Sequence, residues 1–319
     1  MSGAVAFLFP GQGAQYLGMA RDFYEESERI RRLFEAAEDA SGLSITRVMF
    51  EGPEETLNST DHTQVAMTLG SLAAAEYLKE QGIYPEAVAG FSVGEYAALA
   101  LADVISLEDV FPLVKLRGEI TERASRSLDS DQGRAGMAAV MGLSFESVSQ
   151  ALEKMRSAGA GEAYAAIHNS PVQTVVAGTA KGLAEAKGVL EQAGAKRYIP
   201  LKVSGPFHSP LLEEARREFA ERIAEVSFSD PVLSMFSNVT GELVESGDAA
   251  RELCLSQIVS PVQWVAEQRS LISGGFDRLL EVGPGTVLTG LFRALGKQED
   301  LGEAECRPAG SVEDIGKIT

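Results

Sequence analysis

The chain has 319 residues, of which 45% are hydrophobic and 23% charged, an ordinary globular composition with enough apolar material for a sizeable core. Its 46 acidic against 28 basic side chains give a formal net charge of −18, which argues against nucleic acid and anionic membrane surfaces as partners. The two cysteines, Cys254 and Cys306, form no CxxC spacing, so neither a zinc cluster nor a disulfide framework is expected, and both read as free thiols of a reducing compartment.

The chain opens on a short apolar run, Ala4–Phe9, ended by Pro10-Gly11. The run has no basic residues before it and is too short for a signal-peptide core or a membrane span, so a cytoplasmic, soluble protein is expected. A continuous apolar run of this length suits a parallel strand buried on both faces. Helix-rich stretches follow around residues 21–40 and 65–80. Val88-Ala89 then closes a short apolar stretch before Gly90-Phe91-Ser92-Val93-Gly94 and the helix-forming run Glu95–Leu101.

Residues 128–134 are polar and read as a linker. Beyond them Met137–Met141 reads as a strand. Phe145, Val148, Leu152 and Met155 share one helical face, and Tyr164–His168 and Gln173–Ala177 read as strands around Asn169-Ser170-Pro171. Leu183, Ala186, Leu190 and Ala193 mark a second helix ended by Gly194, and Lys196–Val203 a further strand. The order βαββαβ predicts a ferredoxin-like small domain over residues 130–203, inserted into a catalytic domain made of 1–129 and 204–319. Helices and short strands resume after residue 210, and the tail from Lys297 reads as polar and loosely ordered.

The pentapeptide Gly90–Gly94 fits G-x-S-x-G, a strand-to-helix turn that projects its serine from the top of a sheet. Such a pentapeptide also arises by chance in glycine-rich turns; the strand before it and the helix after it favour a nucleophile. A serine hydroxyl needs a base, and the chain holds three histidines: His62, His168 and His208. His62 lies in a polar loop and suits a solvated surface residue, while His168 ends a strand and suits a hydrogen-bonded structural role. His208 sits in Ser204-Gly205-Pro206-Phe207-His208-Ser209-Pro210, a loop stiffened on both sides, and is favoured.

With Ser92 and His208 in place, residues 4–290 resemble the malonyl-CoA:acyl-carrier-protein transacylases of fatty-acid and polyketide synthesis. The resemblance is carried by Phe9–Gln15, Thr63-Gln64, Gly90–Tyr96, Arg117-Gly118, Asn169–Pro171, Gly205–Ser209, Ser260–Trp264 and Glu281–Gly285, in that order. It implies an α/β-hydrolase-like core with a parallel sheet, carrying a ferredoxin-like insert. It implies Ser92 as nucleophile, His208 as base, and the backbone N–H groups of Gln12 and Val93 as oxyanion donors. Arg117 would clamp the malonyl carboxylate, with Gln64 and Asn169 in the substrate site and Phe207 crowding an α-methyl group. The histidine would be oriented by a main-chain carbonyl near Pro261–Trp264, which makes Gln263 a supporting candidate. No cofactor or metal is expected beyond the coenzyme A thioester substrate, and the protein partner would be acyl carrier protein, met by a monomer.

Two positions depart from the family pattern: Phe91 stands where histidine is usual, and Thr121 where methionine is usual. The acidic chain would also repel an acidic carrier protein, so a local basic patch is needed, and Lys196, Arg197 and Lys202 are candidates for part of it. An acyl hydrolase on the same fold is the alternative; it differs in whether water or a carrier thiol resolves the acyl-enzyme.

Overall fold

The computed structural model describes residues 3–318. Among the described residues nine strands form two sheets: β1 (Ala4–Phe9), β2 (Ala87–Gly90), β3 (Gly136–Met141), β4 (Ala163–Ser170), β5 (Gln173–Gly178), β6 (Arg197–Pro200), β7 (Ser234–Met235), β8 (Phe276–Glu281) and β9 (Glu305–Pro308). The first sheet has the order β7-β2-β1-β8-β9, and every neighbouring pair in it is parallel. The fold is thus mixed α/β around a parallel sheet.

The apolar run of β1 is explained by its position at the centre of that sheet. Val5, Phe7 and Phe9 enter one hydrophobic cluster, while Ala6 and Leu8 enter the cluster on the opposite face. Strand β2 divides the same way, with Val88 on one side and Ala87 and Ala89 on the other. Neither face meets water, so no polar alternation is written into either strand.

The second sheet, β4-β5-β3-β6, is antiparallel throughout. Its strands do alternate between two environments. Met137, Val175 and Ala177 face the parallel-sheet body, whereas Ala138, Val140 and Val176 pack beneath the helices Phe145–Ser157 and Ala180–Gln192. Backbone bonds tie the two bodies together: His168 N–H donates to Val262 O at 2.9 Å and Val262 N–H to Ala166 O at 2.9 Å.

The C-terminal tail differs from the expectation of loose order. Strand β9 pairs in parallel with β8, Cys306 is buried beneath it, and the helix Val312–Gly316 follows, capped by Ser311. Four residues at a sheet edge with charged Glu305 and Arg307 facing out are too short to give a periodic signal. Among the described residues no helix is long and apolar enough to cross a membrane.

Candidate active site

From β1 the chain builds β2 and β7 on one side and then returns to add β8 and β9 on the other, so strand order reverses at β1. In parallel sheets the crevice beyond the strand C-termini at such a point is the usual ligand site. The loops leaving β1 and β2 carry Gln12 and Ser92 there. They lie against each other: a Cβ on Gly11 would come within 2.6 Å of Phe91 O, so only glycine permits the approach.

The turn from β2 into the helix Gly94–Leu101 places Ser92 at φ 54°, left-handed backbone that a non-glycine residue adopts only under constraint. Glycine on either side is a spatial requirement. A Cβ on Gly90 would overlap the backbone of Gly94 and Glu95, and one on Gly94 would overlap Phe9 O of β1. Gly94→Ala is therefore expected to cost about 3 kcal/mol, the upper end of overpacking penalties, read as a lowered urea midpoint with loss of serine acylation.

Ser92 Oγ lies 2.7 Å from His208 Nε2, and His208 Nδ1 donates to the main-chain carbonyl of Gln257 at 2.9 Å. A carbonyl can only accept, so the proton sits on Nδ1 and Nε2 is free to accept from the serine. His208 also has positive φ, 57°, and its loop is closed by Ser209 Oγ donating to Pro206 O at 2.6 Å. Burial, and then the positive charge of Arg117, lower the imidazole to about 3 against the opposing pull of the Gln257 carbonyl. The ring is therefore neutral and basic-competent throughout the physiological range.

The other histidines are placed elsewhere. His62 lies against Ser59 Oγ and Asp61, and His168 stacks on Phe145 with ring centroids 4.9 Å apart. Gln263 does not orient His208. The accepting carbonyl belongs to Gln257, one helix earlier, because the Ser260–Trp264 segment is committed to pairing with β4 and to Asn238, whose O accepts from Gln263 N–H at 2.7 Å.

The remaining sequence candidates meet in one cleft of about 220 Å³. Gln12, Gln64, Val93, Arg117, Asn169 and Phe207 line it together with Ser92 and His208, and Met137, Ile167 and Val175 of the antiparallel sheet supply an apolar wall. Among the described residues, no acceptor takes the backbone N–H of Gln12 or of Val93. Two free donors beside a serine nucleophile are the requirement for holding an oxyanion.

Arg117 is 4% exposed in the middle of the helix Leu107–Ser127. Nη1 donates to Gln64 Oε1 at 2.9 Å and Nη2 to Gln257 Oε1 at 3.0 Å, while Nε has no hydrogen-bond partner among the described residues and the Tyr96 ring centroid lies 5.5 Å from the guanidinium carbon. Among the described residues it joins no ion pair. A buried cation with only neutral acceptors is costly and waits for an anion. Thr121 turns its hydroxyl back onto Arg117 O at 2.7 Å and so presents no free donor to the cleft. Phe91 packs edge-on against Trp264, with centroids 5.4 Å apart, making the wall beside the serine apolar.

Behind the serine lies a layer that sequence reasoning missed. Asn238 Oδ1 accepts from Ser92 N–H at 2.6 Å, and its Nδ2 donates to Gly90 O and to Glu267. Gln257 Nε2 donates to Ser92 O at 3.1 Å and to Glu95. The available signal for Asn238 is position: Ser237-Asn238 directly follows β7, at the same C-terminal end of the parallel strands as Gln12 and Ser92. Gln257 has no such signal, because a main-chain acceptor leaves no mark on the side-chain pattern.

Residues 6–313 match the model of the acyl transferase domain family. The chain is 36% identical over 294 residues to the malonyl CoA-acyl carrier protein transacylase of Bacillus subtilis, covering 92% of this chain and 91% of that protein. It is 36% identical over 292 residues to the Escherichia coli K12 protein of the same name, covering 91% and 92%. An acyl carrier protein S-malonyltransferase from Vibrio cholerae superposes with a TM-score of 0.91 at 32% identity over 99% of both chains. A malonyl-transacylase solved in complex with its type II PKS acyl-carrier protein superposes with a TM-score of 0.90 at 31% identity over 98% of both. With likeness of this extent in both sequence and fold, the chain belongs to the malonyl-CoA:acyl-carrier-protein transacylase family.

Proposed function

We propose that the protein transfers a malonyl group from malonyl-CoA to the phosphopantetheine thiol of acyl carrier protein through an ester on Ser92. The observation that carries the malonyl assignment is Arg117: a planar guanidinium, buried, without a carboxylate partner among the described residues, in the same cleft as Ser92. In the first half, Ser92 Oγ attacks the thioester carbonyl while His208 Nε2 takes its proton. The C–S bond of the tetrahedral adduct then breaks, and His208 returns the proton to the departing sulfur of coenzyme A. In the second half His208 takes the carrier thiol's proton, the sulfur attacks the ester, and the proton returns to Ser92 Oγ. The Gln12 and Val93 N–H groups hold the oxyanion in both halves, a contribution of about 3 kcal/mol per donor.

Gln64 holds Arg117 in place, and Asn169, whose buried Oδ1 has no partner, offers an acceptor to a donor N–H of the substrate arm. Phe207 narrows the space for an α-methyl group, worth about 1–3 kcal/mol of discrimination. The architecture is read as an α/β-hydrolase-like core of residues 1–129 and 204–319 with a ferredoxin-like insert over 130–203. The parallel order of the first sheet and the antiparallel β4-β5-β3-β6 order of the second support that reading. Lys196, Arg197 and Lys202 are exposed, and Leu201 between them lines the cleft, so they form the basic rim at which carrier protein docks.

Coenzyme A release from malonyl-CoA, followed by chromatography because transfer exchanges one free thiol for another, is expected to require holo carrier protein for turnover. Reversing the charge of the three basic residues should raise the KM for carrier several-fold and leave the acylation half-reaction unchanged. Turnover independent of carrier would make the protein a hydrolase instead.

A further inference from the structure

Two acids are enclosed behind the nucleophile. Glu95 is 3% exposed and Glu267 fully buried. Glu95 accepts from the Asn238 N–H at 3.2 Å and from Gln257 Nε2, and the Ser237 hydroxyl also reaches it. The same Gln257 side chain accepts from Arg117 and donates to Ser92 O, while Asn238 holds Ser92 N–H. Glu95 is therefore one side chain away from the guanidinium and from both backbone groups of the serine. Among the described residues, the only hydrogen-bond partner of the Glu267 carboxyl is the Asn238 amide, too little to hold a buried anion, so Glu267 keeps its proton.

We propose that Glu95 balances charge in the acyl site, taking up a proton when an anionic acyl donor docks on Arg117. In the free protein Glu95, linked to Arg117 through Gln257, feels the attraction of the guanidinium. A donor carboxylate on Arg117 cancels that attraction and brings a second anion into the enclosure. A protonated Glu95 then removes the repulsion, including that between Glu95 and the oxyanion at the N-terminus of its own helix.

The other titratable groups in this enclosure cannot supply the response near neutrality. Burial holds the Tyr96 hydroxyl and the Cys254 thiol well above their ordinary ranges, so both stay neutral. Burial and the neighbouring Glu95 keep Glu267 protonated, and His208 titrates at about 3. Glu95 alone is poised: burial raises it to about 7 against its hydrogen-bond donors and Arg117.

The inference rests on the assignment of Arg117 to the donor carboxylate, and the test separates the two. Ser92→Ala protein, which binds without reacting, is mixed at pH 7 with malonyl-CoA in weakly buffered indicator dye. Acetyl-CoA, which shares the nucleotide phosphates, is the control. The expected difference is about half a proton taken up per site. The affinity for malonyl-CoA should weaken by up to tenfold per pH unit above 7, and added Glu95→Gln should remove both effects. Should that double variant fail to fold, the pH dependence of uptake in Ser92→Ala alone, with its midpoint near 7, carries the test. Malonyl-CoA binding with the same proton count as acetyl-CoA overturns the role of Glu95. Malonyl-CoA binding equally well to Ser92→Ala and Ser92→Ala/Arg117→Ala overturns the donor assignment, and the inference with it.

Discussion

His208→Ala is expected to slow formation of the malonyl-enzyme by about three to four orders of magnitude in single-turnover mixing, with binding of malonyl-CoA little changed. The expectation follows from the 2.7 Å contact to Ser92 Oγ and from the carbonyl of Gln257, which fixes the tautomer with Nε2 free. The same geometry sets the pH profile of the intact protein. Because burial and Arg117 hold His208 near 3, its own protonation should not produce an acid limb near 6.5, and acylation should persist well into acidic solution. Stability carries the opposite side of this shift. The unfolded chain binds a proton at His208 from about pH 6.5 downward while the folded chain does not. The contribution of this group to stability is thus constant above that pH and declines as pH falls from 6.5 towards 3. Urea midpoints for wild type and His208→Asn should converge as pH is lowered. A midpoint difference independent of pH between 7 and 4 would contradict a buried neutral imidazole.

Arg117→Ala is expected to lower acylation from malonyl-CoA by about 10²–10³-fold, the cost of leaving a buried carboxylate without its charged partner. Acylation from acetyl-CoA should change far less, so the ratio between donors collapses. Arg117→Lys should recover only part of the loss. Gln64 and Gln257 hold a planar fork by two separate nitrogens, a geometry a single ammonium cannot reproduce. Equal loss with both donors would mean that Arg117 supports the fold of the cleft and does not select the acyl group.

The legible parts of this chain are those where chemistry and backbone restriction coincide. The positions of Ser92 and His208 can be read because each sits between residues that constrain a tight loop, and because a serine nucleophile narrows the choice to three histidines. The α/β character and the parallel sheet can be read because β1 and β2 are apolar on both faces, and the antiparallel sheet because residues 130–203 carry the order βαββαβ. The orientation of His208 is not legible at Gln263, since the acceptor is the main-chain carbonyl of Gln257, brought in by tertiary packing. Asn238, Glu95 and Glu267 form a buried polar layer whose partners are 143 and 29 residues apart in sequence, beyond any local pattern. Strand β9 was illegible for a different reason: its hydrogen bonds, and not its composition, make it a strand.

In the proposed reaction a carrier thiol, and not water, removes the malonyl ester from Ser92. Intact-protein mass after brief mixing with malonyl-CoA tests it most directly. A single malonyl adduct is expected on wild type, absent from Ser92→Ala and scarce with acetyl-CoA, that disappears when holo carrier protein is added. An adduct that decays equally fast without carrier, or forms equally well from acetyl-CoA, would contradict it.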